Sequence, residues 1–100
     1  MSYWLTFSKQ AEEDLIDSIK WYNQQKENLG FEFYDCGNEN LLLIVESPQR
    51  YSVRFKNIRT APVKRFPYLI YFYLDQQSDS IIILGVLHTS RNPETIKKRK

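Results

Sequence analysis

The residues best equipped to do chemistry sit in the second half of the chain. Lys56, Arg59, Lys64 and Arg65 cluster in one stretch, and His88 and Arg91 follow a long apolar run. Guanidinium groups neutralise phosphate charge, and a neutral imidazole can take or give a proton near pH 7. The set therefore fits either work at a scissile phosphate or docking to an anionic partner. A second proton-transfer group is missing from it. Asp75 and Asp79 read as loop residues at the far end of the strands, Glu94 falls in the tail, and Tyr68, Tyr71 and Tyr73 read as core. A lone histidine at a strand end is as often structural as catalytic. An arginine such as Arg65 beside an apolar run is also explained by a carbonyl or a helix-borne carboxylate. His88 is the only histidine and Cys36 the only cysteine. That excludes an internal disulfide, a cysteine zinc site and a His–His metal centre, so no metal and no cofactor are expected.

The elements that must position these residues are legible in the pattern. Tyr3–Phe7 has the aromatic and β-branched content of a short strand. Ser8 then stands where a helix N-cap belongs, with Glu12, Glu13 and Asp14 in the early turns. Ala11, Leu15, Ile19 and Tyr22, widened by Ile16, form one apolar stripe and predict a helix from about Lys9 to Lys26. Trp21 lies at the edge of the stripe, and Gly30 reads as a left-handed stop. A second helix is expected from about Phe31 to Glu46, closed by Ser47-Pro48. Gly37 in its middle implies close approach to the first helix, and Cys36 reads as a small buried hydrophobe.

The remainder reads as β. Ile58–Val63 is a strand that Pro62 pushes toward an edge. Tyr68–Leu74 and Ser80–His88 are apolar runs joined by the polar loop Asp75–Asp79, so they are antiparallel neighbours. Neither run alternates, which implies that both sheet faces are covered. Two helices can cover one face, and a bound partner chain is the expected cover for the other. The fold class is α+β, β-α-α-β-β-β, with an N-terminal helical hairpin packed on a small antiparallel sheet. A single domain spans residues 1–100, with 92–100 expected as a flexible basic tail.

Charge divides the chain. Residues 1–46 hold three lysines against nine acids, a net −6, whereas residues 47–100 carry +8. The total of +2 is far from the field of a dedicated nucleic-acid binder. No signal peptide and no membrane-length apolar run is visible, so a cytoplasmic protein without membrane contact is expected.

Several stretches together resemble the RelE/ParE superfamily of type II toxin–antitoxin toxins. They are Phe7-Ser8-x-x-Ala11, Trp21-Tyr22, Leu29-Gly30-x-x-Phe33, Pro48-x-x-Tyr51, Ile58-Arg59, Arg65-Phe66-Pro67-Tyr68-x-Ile70-Tyr71-Phe72 and His88-x-x-Arg91-x-Pro93. The resemblance implies a growth-inhibiting toxin and a cognate antitoxin, joined in a hetero-oligomer. It leaves two targets open. RelE-like members are ribosome-dependent messenger RNA endonucleases, in which Arg65, His88 and Arg91 would be the catalytic candidates. ParE-like members bind DNA gyrase and cut nothing. No tyrosine follows Arg91, and the first helix is acidic rather than lysine-rich, so the ParE-like branch is favoured. A family fold that has lost toxicity and persists as an antitoxin-binding module is the third alternative. In either active branch the expected contacts with target or antitoxin are Arg59, Lys64, Arg65, His88 and Arg91. The antitoxin is expected to lay an acidic segment over the arginines and the helical hairpin.

Overall fold

The computed structural model describes residues 3–100. Strand β1 (Trp4–Phe7) leads into helix α1 (Lys9–Gln25) and helix α2 (Leu29–Glu46). A single 3-10 turn at Pro48–Arg50 precedes strands β2 (Val53–Phe55), β3 (Ile58–Pro62), β4 (Tyr68–Asp75) and β5 (Ser80–His88). A short helix, α3 (Glu94–Lys97), follows. The sheet order is β1-β5-β4-β3-β2. It is antiparallel from β2 to β5 and becomes mixed at β1, which pairs with β5 in parallel from Trp4↔Ser80 to Phe7↔Ile83. The long helical excursion between β1 and the rest of the sheet is what allows a parallel pairing. β2, absent from the sequence reading, is three residues long and joins β3 through Lys56-Asn57, both at positive φ, as a tight two-residue hairpin requires.

Local chemistry explains the helices. The Ser8 hydroxyl accepts from the Ala11 amide at 3.1 Å, a cap worth about 1 kcal/mol. The break between α1 and α2 differs from expectation. Asn28, with φ 66, takes the left-handed turn, while Gly30 lies inside α2 with no positive φ. Glycine is needed there because a Cβ would run into the Ile19 carbonyl and lie 2.8 Å from the Asn23 side chain. Asn23 accepts from the Gly30 amide at 2.7 Å, so the helices touch backbone to backbone at this point. Gly37 does not serve close approach: a Cβ there would meet nothing within 4 Å. Pro62 is tolerated because β2 pairs only with the Ile58 end of β3 and leaves the proline's other side bare.

Both faces of β4 and β5 are buried, as their unbroken apolar runs imply. The helices cover one face, where Ala11, Tyr22, Phe33 and Ile44 pack on Ala61, Ile70, Phe72, Ile81, Ile83 and Val86. On the other face the chain covers part of the sheet itself. Ile96, fully buried, packs with Ile58, Tyr71, Leu84 and Leu87. Burying an isoleucine side chain contributes about 2 kcal/mol toward seating this short C-terminal segment. Within residues 92–100, expected as a flexible basic tail, Ile96 and Arg99 are docked on the fold. The Arg99 guanidinium forms a two-pronged ion pair with the Asp14 carboxylate of α1, at 2.6 and 3.3 Å.

Candidate functional site

His88 and Arg91 share a groove of about 260 Å³ between α1 and the end of the β4–β5 pair. α1 supplies Asp14, Asp17, Ser18 and Trp21; β4 supplies Tyr68; β5 supplies Val86, Leu87 and His88. Each wall follows from local structure. Tyr68 and His88 are register partners, so their rings meet on one face, edge to face at 5.4 Å. A turn after β5, closed by the Arg91 amide donating to the His88 carbonyl at 2.9 Å, brings Arg91 back beside the ring. The His88 Nδ1 accepts from the Ser90 amide at 3.0 Å, which leaves the ring proton on Nε2. The Arg91 guanidinium has no ion-pair or hydrogen-bond partner among the described residues. Trp21 is 53% exposed at the mouth.

The other sequence-derived residues lie elsewhere. Arg59 faces the helix side of β3, opposite Phe72, four residues along β4 from the Tyr68–His88 pair, or about 13 Å at the strand rise. Its guanidinium donates to the carbonyls of Gln49 and Tyr51 and ties down the 3-10 turn. Lys64 pairs loosely with Glu39 at 4.0 Å, and its amide donates to Asn40. Arg65 reaches Glu32 on α2 at 3.4 Å with both side chains well exposed, so the pair contributes little to stability. Arg65 stands at φ 72, where a non-glycine residue costs of order 1 kcal/mol. A strained, exposed arginine in the loop before Pro67 is a feature that packing alone does not explain.

Sequence reasoning thus brought His88 and Arg91 together and left out the carboxylate wall opposite them. Asp14 and Asp17 are three residues apart on α1, and the only hint in the sequence was their position on the flank that also carries Trp21. The groove holds an imidazole, a guanidinium, two carboxylates and two aromatic rings. Asp14 is already paired with Arg99, and Asp17 adds a second acid to the lining shared with His88 and Arg91, a mixed-charge surface suited to protein contacts.

The profile of the ParE toxin of the type II toxin–antitoxin system parDE matches residues 5–93. The chain belongs to the ParE toxin family. Among solved structures the toxin resembles a chromosomal ParDE toxin–antitoxin system from P. aeruginosa. That match has a TM-score of 0.75 and 15% identity, covering 87% of this chain and 96% of that one. It also resembles an E. coli RelE double mutant in the free state (TM-score 0.61, 12% identity, 99% and 94% covered). A third likeness is to the intact E. coli RelBE toxin–antitoxin complex (TM-score 0.60, 14% identity, 90% and 100% covered). At these identities the likeness is one of fold, two helices on a mixed sheet. No curated protein sequence matches the toxin. Among the described residues no helix is long and apolar enough to cross a membrane.

Proposed function

We propose that this type II toxin arrests growth in the ParE manner, by binding DNA gyrase through the groove that holds His88 and Arg91, and that it cuts no nucleic acid. The observation that carries this reading is that two acids, Asp14 and Asp17, line the same groove as His88 and Arg91. A nuclease site would concentrate positive charge on the scissile phosphate. Here Arg59, Lys64 and Arg65 are dispersed and engaged with carbonyls or carboxylates of their own chain. Binding, by contrast, draws on aromatic and arginine anchors, and Trp21, Tyr68 and Arg91 are of that kind. Purified toxin should inhibit gyrase supercoiling in proportion to its concentration and leave ribosome-bound messenger RNA intact. Cleavage of that RNA, lost on His88→Ala, would move the toxin to the RelE-like branch.

A cognate antitoxin is the second half of the proposal. Two of the similar solved structures are toxin–antitoxin assemblies by name. In this chain a cleft of about 450 Å³ between β1, α1 and α2 is lined by Leu5, Phe7, Leu15, Ile16, Tyr34 and Leu41. Ile16 is 50% exposed and Tyr34 42%, a surface that an antitoxin segment would bury in a hetero-oligomer.

A further inference from the structure

His88 reaches its groove only because β5 carries a bulge. Along β5, Ile81 and Ile83 face the helices while Ile82 and Leu84 face the opposite side. Regular alternation would next send residue 86, and then His88, to the side away from α1. The register breaks there: Phe72 pairs with Ile83, but the adjoining Tyr71 pairs with Gly85, so Leu84 and Gly85 together oppose a single residue. After the extra residue Val86 faces the helices, Leu87 faces away, and His88 stacks on Tyr68 in the groove.

A bulge at this point needs partners for its backbone. β1 stops pairing at Ile83, and the last backbone bond between the two segments is the Ser8 amide donating to the Ile83 carbonyl. Beyond it, the edge of β5 is met by three side chains, the first being Ser8, whose hydroxyl donates to the Leu84 carbonyl at 3.4 Å. Asp14 Oδ2 accepts from the Val86 amide at 3.1 Å, and Arg99 Nη1 donates to the Leu84 carbonyl at 3.0 Å. The Asp14 and Arg99 side chains grip each other and are only 15% and 13% exposed. Gly85 completes the fit, since a Cβ there would lie 2.6 Å from Ile96 Cδ1 and 2.7 Å from Arg99 Nη1.

We infer that Asp14 and Arg99 are positioning residues of the His88–Arg91 groove, acting by holding the Leu84–Gly85 bulge that turns His88 toward α1. Their importance to growth inhibition rests on the reading of the groove given above; their effect on His88 does not. The pair acts through the β5 backbone, from opposite ends of the chain, an effect separate from any contact Asp14 makes as part of the groove wall.

The test is NMR on the full-length toxin, reading the His88–Tyr68 ring contact as a cross-relaxation peak, beside growth inhibition by the same variants. Arg99→Ala and Gly85→Ala should lose that peak while α1 and α2 keep their amide pattern, and growth inhibition should drop to the level of His88→Ala. Asp14→Asn, which retains an oxygen for the Val86 amide, should keep the peak, whereas Asp14→Ala should not. Arg99→Ala changes no residue of α1 or of the groove lining, although it unpairs Asp14, and so still answers the question if Asp14→Ala fails to fold. Folded Arg99→Ala and Gly85→Ala toxins with the His88–Tyr68 peak unchanged would overturn the inference. If His88→Ala remained fully toxic while Arg99→Ala displaced the ring, the groove's role in toxicity would fall and the positioning would stand.

Discussion

Arg91 and Arg65 carry different burdens at the residue scale, although both are exposed cations. Arg91 sits unpaired beside His88, whereas Arg65 is held in a left-handed turn and reaches Glu32. Arg91→Ala should abolish growth inhibition with stability changed by no more than about 0.5 kcal/mol, as for a surface site. A folded and fully toxic Arg91→Ala protein would remove that residue from the contact. Arg65→Gly should relieve strain of order 1 kcal/mol and raise stability while weakening toxicity, separating the two roles in one variant. Tyr22 offers a pH test. Burial, with the Tyr68 phenol beside it, pushes its hydroxyl above the ordinary 10.0. The folded state then keeps a proton that the unfolded chain releases. Its contribution to stability is full below pH 10.0 and declines as pH rises beyond it. Urea titrations of Tyr22→Phe above that pH should show a shallower alkaline decline; an unchanged slope would exclude the residue as its source.

At the element scale the two helical glycines should respond in opposite directions. Gly30→Ala forces a methyl against the Ile19 carbonyl and should cost about 1–3 kcal/mol. Gly37→Ala meets open space and should gain about 1 kcal/mol of helix propensity. Denaturant midpoints measure both, and equal losses at the two sites would contradict the packing described. Elements set by local pattern were legible in the sequence. The stripe Ala11–Tyr22, the Ser8 cap and the β4–β5 hairpin all appear where periodicity and turn chemistry put them. What depended on distant pairing was not legible. The parallel β1–β5 ladder and the parity shift at Gly85 depend on residues far apart in sequence, while β2, a local hairpin partner of β3, is too short at three residues to show a pattern. The candidate site divides the same way. His88 and Arg91, three residues apart, line one groove, while Arg59, Lys64 and Arg65 lie elsewhere and the Asp14–Asp17 wall awaited the docking of α1 on β5.

Over the whole molecule, part of the charge asymmetry is met inside the fold. The ion pairs Asp14–Arg99, Glu32–Arg65 and Glu39–Lys64 each join an acid of the first half to a base of the second. The same closure explains the sheet's second face, where Ile96 sits on the apolar surface that the strand pattern left for a partner chain. Among the surfaces left open are the groove of His88 and Arg91 and the cleft beside Ile16 and Tyr34. The most direct test of the account follows thymidine and methionine incorporation together after the toxin is induced in bacteria. Gyrase binding predicts that thymidine incorporation falls first while protein synthesis continues. An early fall in methionine incorporation with DNA synthesis intact would contradict it and give His88, Arg65 and Arg91 catalytic work on messenger RNA.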